Sequence, residues 1–235
     1  VSLDCNVLES NIEDMTPLQV DKNHSMRSLD SVEHSLRNSV RSRLVSDVPI
    51  SFLLSGGVDS MVLITILHWL DYDVVAGHIN YNNREETPIE QEFLENWCSY
   101  NNIKLYVKNI NEIKRDNTKR SDYELITKNM RLDFYKEIIS KENIDYVLLA
   151  HHKDDIIENI FANVCRGRNY LDLAVIREHT VISGIKIGRP MINYYKNVVY
   201  DFAHKYQVPY FKDTTPKWSV RGKYRDIISP AIEDA

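Results

Sequence analysis

The sequence predicts an α/β fold: a mostly parallel sheet of about five strands with helices on both faces, preceded by a helical N-terminal arm. Three observations predict it. Apolar runs at 50–54, 74–79 and 146–150, and an alternating run at 103–107, are separated by stretches of helical period. A Gly-Gly turn follows the first run directly, and other chemically unusual residues fall just after strand ends, where open α/β sheets bind ligands. Composition is globular, 43% hydrophobic and 27% charged over 235 residues, enough chain to bury a core without staples.

Each element follows in order. Residues 1–28 are polar and without clear period and are read as an arm, with 29–235 as the domain. Leu29, Val32, Leu36, Val40 and Leu44 recur at three- and four-residue steps, a helix that Pro49 ends because its ring cannot continue one. Ile50-Ser51-Phe52-Leu53-Leu54 reads as a short buried strand, 55–60 as a turn, 61–70 as a helix and 74–79 as a second strand. Thr87-Pro88-Ile89-Glu90 has the form of a capping box with Pro at the first helical position, opening a helix to about Tyr100. A strand at 103–107 and a polar loop at 108–120 follow. Ser121-Asp122-Tyr123-Glu124 reads as a second capping box before a helix to about Ser140. Tyr146 to Ala150 is a continuous apolar strand, and 154–164 a helix. Such alternation implies right-handed crossovers.

Several classes are excluded. Lys and Arg number 29 against 34 Asp and Glu, a net charge of −5, so any nucleic-acid contact must come from a local basic patch. No run of about 18 apolar residues exists, so no membrane span is expected. The first residues carry Asp4, Glu9, Glu13 and Asp14 and do not read as a secretory leader. Cys5, Cys98 and Cys165 are odd in number and far apart, against a disulfide framework or a Cys-rich metal site, and a cytoplasmic location is expected.

Leu54-Ser55-Gly56-Gly57-Val58-Asp59-Ser60 is the sharpest signal. Two glycines let backbone N–H groups converge on an anion, Ser55 and Ser60 add hydroxyls, and the helix N-terminus that follows adds its dipole. Asp59 opposes a phosphate unless it binds Mg²⁺ that bridges phosphates. The bland alternative is a capped strand-to-helix turn.

Ala150-His151-His152-Lys153-Asp154-Asp155-Ile156-Ile157-Glu158 is the second constellation. His at a strand end can hold a phosphate or act as an acid. Asp155 and Glu158 share a helix face and could hold a metal or an ammonium group, or cap the helix and face solvent.

Ser55-Gly56-Gly57-Val58-Asp59-Ser60 resembles the pyrophosphate loop of the N-type ATP pyrophosphatases, which cleave ATP to AMP and pyrophosphate while adenylating a substrate oxygen. The stretch from His151 to Glu158 resembles the G-H-H-x-D-D-x-x-E-T motif of tRNA(Ile)-lysidine synthetases, departing at Ala150 and Asn159. His78-Ile79-Asn80 with Arg84, Asn129-Met130-Arg131, Arg166-Gly167, Arg189-Pro190-Met191, the stretch from Val208 to Asp213 and Arg221-Gly222-Lys223-Tyr224-Arg225 are also similar to that family. The resemblance runs from about 50 to 232, with Arg168-Asn169-Tyr170-Leu171-Asp172 where that family has a glycine-rich stretch. The approach to the loop, Ser39 to Pro49, resembles asparagine synthetases instead.

The resemblance implies an ATP-dependent ligase that joins lysine to an anticodon cytidine of tRNA. It implies Ser55, Gly56, Gly57, Val58, Asp59, Ser60, His78, Asn80 and His151 at ATP, with Asp59 and Asp155 on Mg²⁺. Arg131 would stabilise charge at the α-phosphate and Glu158 would pair the lysine ammonium. Alternatives are an asparagine-synthetase-type amide ligase acting on a small carboxylate, and a nucleotide-binding module without turnover. Lys217, Arg221, Lys223 and Arg225, interleaved with Trp218 and Tyr224, form the densest basic-aromatic segment and, with Arg166 and Arg168, the candidate RNA contacts. A homodimer or a partner is the other expected source of RNA binding.

Overall fold

The computed structural model describes residues 34, 37–41, 49–82, 85–111, 113, 118–144, 146–212 and 220–233, so the arm read at 1–28 lies outside them. Along the chain, β1 (Ile50–Leu53) leads to α1 (Val58–Trp69), β2 (Val74–Asn80), α2 (Thr87–Tyr100), β3 (Lys104–Asn109), α3 (Arg120–Glu142), β4 (Tyr146–Leu148) and α4 (Lys153–Cys165). A hairpin of β5 (His179–Ile182) and β6 (Ile185–Gly188) follows, then α5 (Lys196–Lys205). The C-terminal stretch is α6 (Val220–Lys223), a π-helical turn (Tyr224–Ile228) and α7 (Ser229–Glu233).

The strands form one sheet in the order β3-β2-β1-β4-β6-β5. All pairings are parallel except β5 with β6. All seven residues of β2 are buried, as its near-continuous apolar run requires of a central parallel strand. β3 lies at the edge and carries Lys104 and Lys108, charges that discourage a further strand from pairing there. The sheet has six strands where the sequence indicated about five. The added hairpin closes through Ser183 and Gly184, with φ of 52° and 83°, the left-handed backbone of a tight two-residue turn.

Each face of the sheet has its own core. On one, α1 supplies Met61, Val62, Ile66 and Leu67, α2 supplies Leu94 and Cys98, and α5 supplies Val199 and Phe202. Val40 joins them from the helical segment 37–41. On the other, Phe134, Tyr135 and Ile138 of α3 pack with Val75, Val147, Ile185 and Ile187. Gly77 permits that approach, since a Cβ there would stand 2.8 Å from Ile138 Cδ1. Each apolar side chain so buried is worth about 1.5–3 kcal/mol.

Helix starts differ in detail from the sequence reading. α1 begins at Val58, directly after the glycines. α2 begins at Thr87 with Pro88 in its first turn, but the capping box read at 87–90 is corrected: Glu86 is the N-cap and no side chain caps the helix. The capping box read at 121–124 is corrected: α3 begins at Arg120 with Lys119 at the N-cap and no side-chain cap. Cys98 is buried, which pushes its thiol up to about 12, and Cys165 is exposed. Among the described residues no helix is long and apolar enough to cross a membrane.

Candidate functional site

The topology sets the site. From β1 the chain runs outward through β2 and β3, then crosses back to β4 on the other side of β1, pairing Ser51 with Val147 and Phe52 with Leu148. The carboxyl ends of β1 and β4 therefore flank the point where strand order reverses, the crevice in which doubly wound sheets bind ligands.

The loop after β1 is built by its own residues and one outside strap. Gly56 has φ +79°, and its carbonyl accepts the N–H of Phe211 at 2.9 Å. Phe211 also crowds it, since a Cβ on Gly56 would lie 3.3 Å from the ring. Gly57, extended, is the N-cap of α1 and has no capping side chain, which leaves the first-turn N–H groups to a ligand or solvent. Ser60 Oγ donates to the Gly57 carbonyl at 2.9 Å and accepts the Ser55 N–H at 3.2 Å, with the two hydroxyls 3.1 Å apart. Val58 is buried in the core and anchors the turn.

Facing it, α4 opens on His152, which is fully buried. Asp155 accepts the His152 N–H at 3.0 Å, so the capping reading of this carboxylate is realised. It also does more. His152 Nε2 lies 3.5 Å from both Asp59 Oδ1 and Asp155 Oδ2, bringing the loop carboxylate and the helix carboxylate to one point. Lys196, at the start of α5, places Nζ 3.5 Å from Asp59 Oδ2, and its N–H donates to Asp154 at 2.8 Å. One turn along α4, the buried Glu158 is gripped by Arg225 through Nε and Nη2, and Arg225 Nη2 lies 4.0 Å from Asp155 Oδ1.

Charges in this crevice set one another. Burial opposes ionisation of Asp59, but His152, Lys196 and Arg225 outweigh it and hold the carboxyl below the usual carboxylate range. Burial likewise opposes protonation of His152, and Asp59 and Asp155 outweigh that, raising its pKa. Asp59 Oδ1 is buried with no hydrogen-bond donor among the described residues. Among the described residues no three His, Cys, Asp or Glu are grouped to hold a metal unaided. Two carboxylates meeting beside an uncapped helix N-terminus can, however, be the protein's share of a Mg²⁺ site, the rest being water and phosphate oxygens. Asp59 and Asp155 fit that role.

The other expected residues are placed differently. His78 is buried behind the loop, with Nδ1 2.9 Å from the Leu54 carbonyl, and burial lowers its pKa. Asn80 donates to Gln91 at 2.8 Å and accepts the Asn82 N–H at 2.9 Å, so both ends of its amide are engaged. His151 follows β4, with Nδ1 3.1 Å from Arg189 Nε. Arg131 sits half-buried on α3 beside Tyr81 and Tyr135, whose phenols feel its charge. Arg166 and Arg168 are exposed beyond α4, Arg166 3.9 Å from Glu124. Lys223 is exposed on α6, while Lys217 and the side chain of Arg221 lie outside the described residues. Arg225 belongs to the acidic cluster and not to an outer basic face.

His152, Lys196 and Arg189 were not singled out from the sequence. His152 stood inside a quoted motif, and Arg189 preceded Pro190 in another, so a signal existed for both. Lys196 had none beyond heading an amphipathic helix.

The chain is 33% identical over 176 residues to a tRNA(Ile)-lysidine synthase of Mycoplasmopsis pulmonis, covering 74% of this chain and 59% of that protein. It is 28% identical over 186 residues to the tRNA(Ile)-lysidine synthase of Enterococcus faecalis, covering 77% of this chain and 39% of the other. It thus spans about half the length of these relatives. A U34-tRNA thiolase of Methanococcus maripaludis with its [4Fe-4S] cluster superposes with a TM-score of 0.68 at 16% identity, covering 89% of this chain and 75% of that one. A phosphoadenylyl-sulfate reductase of Candida auris superposes with a TM-score of 0.54 at 13% identity over 80% of this chain and 90% of that one. Both share the fold. A family profile described as a PP-loop domain matches residues 26–228, the loop, the crevice and the Arg225 turn together, and the chain belongs to that PP-loop family.

Proposed function

We propose that this domain binds ATP with Mg²⁺, adenylates a carbonyl oxygen and passes the activated carbon to an amine, in the manner of a tRNA(Ile)-lysidine synthase. The observation that carries the reading is the meeting of Asp59 and Asp155 around His152, beside an uncapped helix N-terminus at the strand-order switch. That arrangement suits a triphosphate whose β- and γ-phosphates leave together.

In the first step the substrate oxygen attacks the α-phosphorus, the bond to the β-phosphate oxygen breaks, and pyrophosphate leaves. The loop N–H groups and the hydroxyls of Ser55 and Ser60 take up the charge that grows on that leaving group. Asp59 and Asp155 would hold Mg²⁺, which neutralises phosphate charge and orients the chain of phosphates. Nothing resembling a Gly-Lys-Ser/Thr P-loop follows the glycines, so γ-phosphate transfer is not implied. In the second step an amine nitrogen bonds to the activated carbon, the carbon–oxygen bond to AMP breaks, and the amine loses a proton.

On this reading the oxygen is that of an anticodon cytidine and the amine that of lysine, as the names of the sequence relatives suggest. Glu158 and Asp155, which already hold a guanidinium, supply acceptors for an organic cation. Incubation with ATP, lysine and total tRNA, each omitted in turn, tests the whole. Pyrophosphate and AMP should form, and mass spectrometry should find a lysine-sized addition on a cytidine. ADP as the main product would reject adenylation. Unmodified tRNA with pyrophosphate release that needs only a small carboxylate would give the amide-ligase reading instead, and ATP binding with no turnover the binding module.

A further inference from the structure

Arg189 follows β6 and is 6% exposed. Its Nη1 donates to the Arg177 carbonyl at 2.7 Å and to Thr180 Oγ1 at 3.0 Å. Its Nε donates to His151 Nδ1 at 3.1 Å. All three acceptors are uncharged, although a buried guanidinium is ordinarily matched to a carboxylate. The guanidinium is held in place by its surroundings. The Arg189 N–H donates to the Glu178 carbonyl, the neighbouring Pro190 carbonyl accepts Ser39 Oγ at 2.7 Å, and Gly188 pairs with Leu148 of β4.

Guanidinium nitrogens only donate. His151 Nδ1 must therefore offer its lone pair, and the single proton of the neutral ring resides on Nε2. A proton added at Nδ1 would set N–H against N–H and two cations side by side. His78 makes the contrast. Its Nδ1 faces the Leu54 carbonyl, so that ring keeps its proton on Nδ1. The fold thus fixes two imidazoles, one behind each strand end of the crevice, in opposite tautomers.

We infer that Arg189 is a positioning residue that locks His151 as the Nε2–H tautomer, so that His151 meets the nucleotide phosphates as a hydrogen-bond donor and never as a base. The inference rests on the reading of the crevice as an ATP site. A donor whose proton is fixed before the reaction needs no reorganisation when charge develops on phosphate. Arg189 itself touches no reacting atom in this assignment.

The test is ¹⁵N-histidine labelling with long-range ¹H–¹⁵N correlation at about pH 7.5, where the unperturbed ring is neutral. The His151 signals are assigned by their loss in His151→Gln. Wild-type protein should show Nδ1 unprotonated and Nε2 protonated. Arg189→Met should lose that pattern, and Arg189→Lys, which keeps a donor, should retain more of it. Pyrophosphate release in Arg189→Met should fall about 10- to 100-fold, the scale on which an outer partner of a ligating histidine acts, with the KM for ATP changed far less. In a His151→Gln background the same Arg189→Met change should cost little more. A wild-type ring protonated on Nδ1, or a tautomer unmoved in Arg189→Met, overturns the inference, and the wild-type spectrum decides even if the variant fails to fold. ATP titrated into a uniformly ¹⁵N-labelled sample, in which the backbone amides of the loop are also observed, separates the two readings. If ATP leaves the signals of residues 55–60 unmoved, the nucleotide reading fails and the positioning role fails with it. If those signals move while His151 carries its proton on Nδ1, only the positioning role fails.

Discussion

Asp59 is the residue on which the loop and α4 converge, and His152, Lys196 and Arg225 around it favour its ionised form. Asp59→Asn keeps the shape and removes the charge. Pyrophosphate release should drop by about 100-fold or more, since a metal-stabilised leaving group is worth several kcal/mol. Circular dichroism should show the fold retained. An unchanged rate would remove Asp59 from the reaction. His78 makes a different prediction. Burial depresses its folded pKa below the unperturbed 6.5, so the unfolded chain binds the proton first. Its contribution is intact above 6.5 and is lost as pH falls from there toward the lower folded value. The stability difference between wild type and His78→Gln in urea should therefore shrink between about pH 7.5 and about pH 5.5. A constant or widening difference would contradict the burial argument. Asp59, Asp155 and Glu158 were legible in the sequence because carboxylates in a turn and on one helix face stand out locally. Lys196 was not, because its partner Asp59 stands far away along the chain and meets it only once the sheet forms. Arg189 stood in a quoted motif, but its partner His151 lies 38 residues away and was not legible with it.

At the scale of elements, the first four strands and the helices between them were legible because apolar period is a local property of the chain. The β5–β6 hairpin was not, although Ser183-Gly184 between two short β-rich runs is a turn signal. Four-residue strands carry too few alternations to show a period. The same two glycine-bearing turns give a paired test. Gly56→Ala meets left-handed strain and the Phe211 ring together. It should cost about 1–2 kcal/mol in urea unfolding from the backbone alone, and abolish measurable ATP binding, because the cradle must shift. Gly184→Ala has positive φ but nothing within 4 Å of the added carbon. It should cost a similar amount of about 1–2 kcal/mol with ATP affinity unchanged. Equal loss of ATP binding in both would mean that the turn at Gly56 matters only through stability.

The molecule as a whole carries a net charge of −5, so a polyanionic substrate must be met by a local concentration of cations. The fold divides the candidates into two groups. Arg225 is engaged inside the crevice by Glu158 and Asp155. Arg166 and Arg168 stand exposed just past α4, on the stretch that follows the Asp155 and Glu158 turn, and Lys223 is exposed on α6, which packs against α4. Each phosphate contact with a nucleic acid releases condensed counterions and contributes about 0.7–0.9 to the slope of log affinity against log salt. Arg166→Ala with Arg168→Ala should therefore weaken tRNA binding and flatten that slope by between about one and two units, with ATP affinity nearly unchanged. Arg225→Ala should leave the slope where it was, because its partner in the structure is a carboxylate and not a phosphate. Filter binding across a salt series separates these outcomes. If the Arg225 change flattens the slope and the Arg166 and Arg168 changes do not, the C-terminal turn swings out to meet RNA, and the acidic cluster is exposed to substrate only when it does.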